Sequence, residues 1–301
     1  MADRSLFIVF GGIVTDSERI AFRYPRGEDI PEGFLCADMH FHTRYSDSYT
    51  SVPKAVALAK KKGIGLAVTD HNLIGGSLEA VELAKKEGVF AVPGVEISSW
   101  DGPHILVYFY SVDEMTEYWK RNIEPYIHKS RWLAIDKGTE WILDSLEGVN
   151  CVVSAAHPLG YLVSVKGVEK AVRAGRLDRE ITSRFDAYEV ICSGMFRSEN
   201  VGAGKVADEF GIGYTGGSDG HMLHELGRVL TLQEASDLDG FLDGIVRHTN
   251  RVIGKEKNLL DKFAMAMTST SRFAFSCLPS SLERKMELMA GHGTPNRTKK
   301  R

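Results

Sequence analysis

The chain has 301 residues, of which 43% are hydrophobic and 26% charged, with a formal net charge of −3. This suits one large α/β domain or two small ones around a sizeable core. It excludes the basic footprint of a protein that holds long nucleic acid electrostatically. Four widely spaced cysteines with no CxxC exclude a disulfide scaffold and a Cys-type zinc site. No apolar run reaches the roughly 20 residues that cross a bilayer. The stretch Leu6–Val14 lacks a cleavage pattern after it. A cytoplasmic location is therefore expected, with no membrane association and no obligate protein partner.

In chain order, residues 1–34 read as an N-terminal strand or extension. Leu35–His42 reads as a strand in which Asp38, His40 and His42 share one face and Met39 and Phe41 the other. Thr43–Ser48 is a loop. A helix follows with Ser51 as N-cap and Pro53 in its first turn, and it stops at Gly63. Ile64–Thr69 is a strand that delivers Asp70 and His71. Ser77–Lys86 is a helix closed by Gly88, and Val89–Ile97 is a strand carrying Glu96. After the Gly102–Pro103 turn, His104–Tyr110 is a strand. Asp113–Leu146 is helical with breaks near Pro125 and Gly138.

Val149–Ala156 is a strand ending at His157–Pro158, and Val168–Ala174 is helical. Ala187–Ile191 is a strand carrying Glu189, and Glu199–Phe210 is a helix. Ile212–Gly217 leads into Ser218–Asp219–Gly220–His221, and Ala235–His248 is a last helix. Strands alternating with helices predict a parallel sheet covered by helices. Some seven repeats favour a closed barrel, in which reactive residues gather at the C-terminal strand ends. The competing open sheet would carry a Gly-rich phosphate loop after its first strand, and none is present. Beyond residue 250, Leu259–Phe275 mixes Met, Phe and hydroxyl residues and Leu282–Met289 is a short helical candidate. Gly291–Arg301 is expected to be disordered, with the basic run Arg297–Arg301 at its end.

Taken singly, His157 before Pro158 reads as a turn, Glu96 as an exposed strand end and Asp219 as a turn residue. Taken together they form an ordered set. Asp38–Met39–His40–Phe41–His42 with Tyr45–Ser46–Asp47, Thr69–Asp70–His71–Asn72, Pro93–Gly94–Val95–Glu96, His104–Ile105–Leu106, Ala156–His157–Pro158 and Gly217–Ser218–Asp219–Gly220–His221 resemble the motifs of the polymerase and histidinol phosphatase (PHP) family over roughly residues 35–230. The resemblance implies an α/β fold, a distorted (β/α)7 barrel of the PHP type at 35–250, followed by a C-terminal extension and tail at 251–301. It also implies roughly two to three divalent metal ions, Mn, Zn or Fe, a choice that mixed imidazole and carboxylate ligands suit.

Carried over residue by residue, His40, His42, Glu96 and Asp219 would hold one metal. Glu96, His104 and His157 would hold a second, with Glu96 bridging. Asp47, His71 and His221 would hold a third. Asp70, Glu96 and His221 are the candidate catalytic residues, and Asp38 is read as a supporting or acid/base group. Arg44 and Arg197 are candidate substrate contacts, with Lys129 and Arg131 as further candidates on a pocket wall. The implied activity is metal-dependent phosphoester hydrolysis through a metal-activated hydroxide. The substrate would be a small phosphorylated metabolite, a nucleotide or an oligonucleotide end. The alternatives are a histidinol-phosphate phosphatase or other metal hydrolase, and a metal-binding structural or regulatory module without activity.

Overall fold

The computed structural model of the protein describes residues 19–128, 133–160 and 166–276. Leu6–Val14, Lys129, Arg131, Leu282–Met289 and the basic run at 297–301 lie outside the described residues.

Ten strands form one strongly curled sheet. They are β1 (Ile20–Ala21), β2 (Phe34–Phe41), β3 (Gly65–Val68), β4 (Ala91–Ser98), β5 (His104–Phe109), β6 (Cys151–Ala155), β7 (Ala187–Cys192), β8 (Gly213–Gly217), β9 (Val229–Glu234) and β10 (Arg251–Gly254). The order is β1-β10-β9-β2-β3-β4-β5-β6-β7-β8. The seven strands from β2 to β8 make the distorted barrel, and β9, β10 and β1 extend the sheet beyond β2.

The sheet is mixed rather than parallel throughout. β5 runs antiparallel to both β4 and β6, and β9 runs antiparallel to β2 and β10. The short Ser99–Pro103 turn between β4 and β5 leaves no room for a crossover helix, so β5 must return antiparallel. At the far edge β8 meets β2 without a regular ladder. His42 N donates to Gly220 O at 2.9 Å and Gly220 N donates to His40 O at 3.3 Å, while β8 also leans on β9 through Gly216 N and the Thr231 hydroxyl at 2.9 Å.

The helices are α1 (Val52–Lys62), α2 (Gly75–Glu87), α3 (Val112–Asn122), α4 (Thr139–Leu146), α5 (Val168–Arg173), α6 (Arg197–Phe210), α7 (Leu238–Val246) and α8 (Leu259–Ser276). α1 stops where expected, because Gly63 takes the left-handed conformation at φ 65° and its N–H returns to the last turn. Ser51 stands at the N-cap position, but its hydroxyl makes no capping bond. The helical segment expected over Asp113–Leu146 is interrupted more than the sequence indicates: α3 ends at Asn122, Glu124–Tyr126 is a short 3-10 turn around Pro125, and the described residues from there to Gly138 are not helical.

One feature of β2 departs from simple alternation. Its register against β3 shifts between Asp38 and Phe41. Met39 therefore joins the apolar cluster of Leu106, Tyr108 and Phe241, while Phe41 packs with Val52, Val56 and Val68 near α1. The bulge turns the end of the strand so that His40 and His42 meet the loops after β3 and β8. Among the described residues Cys36, Cys151 and Cys192 form no disulfide, and burial pushes the Cys36 and Cys151 thiols up to about 11 and about 12, so both stay protonated and inert. Among the described residues, no helix is long and apolar enough to cross a membrane.

Candidate metal centre

The strand ends bring nine side chains into one buried cluster: His40, His42, Asp47, His71, Glu96, His104, His157, Asp219 and His221. Glu96, on β4, is central. Its carboxylate oxygens lie 2.7 Å from His71 Nδ1, 2.9 Å from His104 Nδ1 and 3.2 Å from His157 Nε2. It is also 3.5 Å from Nε2 of both His40 and His42. Asp219 Oδ1 lies 3.2 Å from His42 Nε2 and 3.6 Å from His40 Nε2. Asp47 Oδ2 lies 2.9 Å from His221 Nε2 and 3.8 Å from His71 Nε2.

Four groups of side chains are compact enough to hold a cation: His40–His42–Asp219, His42–Asp47–His221, His42–His71–Glu96 and Glu96–His104–His157. They overlap at His42 and Glu96. The sequence reading pairs His71 with Asp47 and His221. In the structure His71 faces Glu96 more closely than Asp47, so it stands between two of the groups.

The local backbone is shaped for this. Asn72, His157 and Asp219 have positive φ values of 55°, 29° and 45°. These are costly for non-glycine residues and concentrate where function requires them. Asn72 holds its turn through both its backbone and its side chain. Its N–H donates to Glu96 O at 2.8 Å, its side chain accepts from Ser98 N and donates to Leu133 O, and its carbonyl accepts from Trp119 Nε1.

The electrostatics suit cations. Burial works against charge in the cluster, and opposite charges overcome it at the three carboxylates, His40 and His221. Glu96, Asp47 and Asp219 are held well below the usual carboxylate range by the surrounding imidazoles. His40 is held well above its ordinary value, burial being outweighed by Glu189, Glu96 and Asp219. His221 is raised to about 9 against burial, chiefly by Asp47. Burial leads for His42 and His104, which fall to about 4 and about 3 and stay neutral. Ionised carboxylates beside neutral imidazoles are the donor set of a borderline metal. Dications displace the imidazole protons that the carboxylates otherwise attract. Glu96 Oε2 supports the same fit, since it is fully buried and finds no hydrogen-bond donor of acceptable angle despite the nearby His71.

The remaining expected site residues lie elsewhere. Asp70 is fully buried and turned to the loop after β2. It accepts from Thr43 N at 2.7 Å, the Thr43 hydroxyl at 2.6 Å and the Ser46 hydroxyl at 2.5 Å. Asp38 accepts from Ser218 N and Gly227 N, both at 2.8 Å, and so clamps the loops around β8 rather than meeting an imidazole ring. Arg197, at the start of α6, is paired with Glu256 at 2.5 Å and stacked on Phe22. Its guanidinium is thereby drawn to a surface carboxylate instead of the cluster. Arg44 is exposed on the loop that carries Asp47.

Several residues with roles at the cluster escape the sequence reading. Glu189 supports two of the imidazoles, with Oε1 3.0 Å from His40 Nδ1 and Oε2 accepting from His157 N at 2.7 Å. A glutamate inside the apolar run Ala187–Ile191 was the available signal. α8 crosses the Asp47 side. There the Ser269 hydroxyl donates to Asp47 Oδ2 at 2.6 Å, and Arg272 Nη2 donates to Arg44 O and Ser46 O at 2.9 and 3.1 Å. Just before α8, the buried Lys257 donates to Asp219 O at 2.8 Å and pairs with Glu225 at 3.0 Å. Glu225 in turn accepts from His221 N at 2.8 Å.

Comparison with known proteins gives this arrangement its place. The chain is 41% identical over 78 residues to an uncharacterized protein of Methanocaldococcus jannaschii, which is 22% of this chain and 46% of the relative. It is 38% identical over 71 residues to the 3',5'-nucleoside bisphosphate phosphatase of Chromobacterium violaceum, which is 23% of this chain and 25% of the relative. The chain thus spans less than half the length of the curated relatives it matches. The lesion-specific endonuclease Q of Pyrococcus furiosus superposes with a TM-score of 0.53 at 15% identity, over 77% of this chain and 66% of that one, a likeness of fold alone. The PHP domain matches residues 38–189 and the PHP-associated domain residues 197–249, and on that match the chain belongs to the PHP family.

Proposed function

We propose that the protein is a metal-dependent phosphoesterase that hydrolyses a small phosphorylated metabolite, a nucleotide or an oligonucleotide end. The observation that carries this reading is the overlap of candidate ligand groups at Glu96 and His42. Overlapping groups suit ions close enough to act on one phosphoryl group. The bisphosphate phosphatase named above acts on a substrate of the same class. Roughly two to three ions of Mn, Zn or Fe are assigned. One would be held by His40, His42, Glu96 and Asp219, one by Glu96, His104 and His157, and one by Asp47, His71 and His221. When bound, such ions lower the pKa of water toward neutrality and offset charge on the phosphoryl oxygens.

The chain's own residues supply position and proton control. Glu96 is read as the bridging ligand and holds three imidazoles in fixed orientation. His221 donates its Nδ1 proton to Asp219 O at 3.0 Å, which leaves Nε2 beside Asp47 as the atom that would face a cation, or hold a proton where none is bound. Asp70 is read as a positioning residue, because its oxygens fix Thr43 and Ser46 and so the approach of Asp47. Arg44 remains a candidate phosphate contact by its exposed place on that loop.

The test is elemental analysis of protein purified without chelator, joined to a phosphoester panel on the same sample. About two to three equivalents of transition metal and release of phosphate from small monoesters are expected. Less than about one equivalent after reloading with Mn or Zn overturns the metal assignment. Internal cleavage of long duplex DNA with steep salt dependence, alongside inert small esters, overturns the substrate class.

A further inference from the structure

A cleft of about 450 Å³ opens where β3, β4 and β5 reach the cluster. His71 and His104 form its floor, and Trp100, Asp101, Lys166 and Arg176 stand on its walls. The Trp100 side chain is 68% exposed, which is unusual for so large an apolar group. It is nevertheless fixed. Its backbone N–H donates to Lys137 O at 3.0 Å, which anchors the main chain, and its indole is packed so near Gly138 that a Cβ there would lie 2.9 Å from Nε1.

The charges on the walls are unequal in availability. Asp101 is committed to the start of α4, accepting from Thr139 N at 3.1 Å and from the Thr139 hydroxyl at 2.8 Å. Among the described residues, the Lys166 and Arg176 side chains make no ion pair or hydrogen bond. Other arginines of the fold are engaged, Arg184 with Asp144, Arg197 with Glu256 and Arg228 with Asp261. A fixed aromatic face and two uncommitted cations thus adjoin the floor imidazoles.

We propose that this cleft is a nucleotide subsite, in which the base stacks on Trp100 and a phosphate other than the scissile one lies between Lys166 and Arg176. The inference rests on reading the cluster as a phosphoester-cleaving centre and adds what the rest of the substrate is. The volume is that of a small-molecule pocket. Stacking on an aromatic side chain is tolerant of base identity, so the subsite selects for a base without selecting which one. Two cations match one phosphate and give only a shallow salt dependence. A free nucleoside bisphosphate and the phosphorylated end of an oligonucleotide share this chemistry.

The experiment is calorimetric binding, to the full chain as purified, of two non-hydrolysable phosphonate analogues. One mimics adenosine 3',5'-bisphosphate and the other a 5'-phosphorylated adenine dinucleotide. Trp100→Ala should weaken binding roughly tenfold, with recovery in Trp100→Phe. The double variant Lys166→Ala/Arg176→Ala should weaken it by roughly tenfold or more. Hydrolysis of glycerol phosphate, which has neither ring nor second phosphate, should change by less than about twofold in kcat/KM in every variant. Response of the bisphosphate analogue alone supports the subsite and assigns it to mononucleotides, and response of the dinucleotide analogue alone supports it and assigns it to strand ends. Variants that bind both analogues as tightly as the parent overturn the inference. So does a parent that binds them no better than glycerol phosphonate. A protein that releases phosphate from no ester at all overturns the phosphoesterase reading instead, and the binding result still decides the subsite.

Discussion

The two flanks of the cluster use similar ligands in opposite settings. On the Asp47–His221 flank the protein closes over its own site. Ser269, Arg272 and Lys257 reach in from the α8 arm and satisfy the Asp47 carboxylate and the carbonyls of Arg44, Ser46 and Asp219. On the His71–His104 flank the wall is a cleft whose cations, Lys166 and Arg176, pair with none of the described residues. Both flanks are nearly fully buried at the ligands themselves, so burial does not separate them. What separates them is whether nearby polar groups find partners within the chain. On the proposed reading, the closed flank would position ligands and the open flank would offer donors to an anion.

The largest effect is expected where the flanks meet. Glu96→Gln should lower kcat/KM on the order of 10³-fold, as loss of a central charged group in an active site does, and should reduce metal content. Asp47→Ala, confined to one flank, should cost clearly less. Equal and small losses, read by steady-state kinetics and elemental analysis on folded proteins, would break the picture of a shared centre.

The closed flank can be broken without touching a ligand. Lys257→Met leaves Glu225 buried without its cation and should destabilise the fold by about 3 kcal/mol or more in denaturant unfolding. The double variant Lys257→Met/Glu225→Gln should recover most of that loss, because removing both members of a buried pair is far milder than removing one. No recovery would show that Lys257 acts through Asp219 O instead. Ser269→Ala removes a single donor from Asp47 and should change activity by less than about tenfold, corresponding to about 1 kcal/mol for one hydrogen bond. The smallest effect belongs to Arg197→Ala. Its half-exposed pair with Glu256 is worth about 0–1 kcal/mol, so kinetics should stay within about twofold of the parent, and a large KM increase would return it to the substrate site.

The sequence was most informative where ligands follow apolar runs. His40, His71, His157 and Asp219 each close or follow a strand, and that placement is visible in one dimension. The β9 strand had a signal too, since Leu230 and Leu232 alternate with Thr231 and Gln233. Its antiparallel return did not fit a regular strand–helix repeat. The α8 arm was beyond reach. Asp47 and Ser269 are 222 residues apart, and no local pattern in a Met- and Ser-rich helix says which loop it covers. Asp70 and Arg197 show the converse limit. Residue type marked them as able to act, but their orientation is decided by Thr43, Ser46 and Glu256, which compete for them.

The seam between β2 and β8 carries a thermodynamic consequence. Gly217 lies so close to β2 that a Cβ there would come within 2.5 Å of His40 N. This edge has few regular ladder bonds, yet the candidate ligands come from both its sides: His40 and His42 from β2, Asp219 and His221 from the end of β8. Ions bound between them would join the two edges that the backbone joins only sparsely. Barrel closure and metal occupancy then become linked equilibria, and the free energy of folding rises with the logarithm of free metal concentration once sites begin to fill. The same residues that would do chemistry on a phosphate would also serve as the clasp of the barrel.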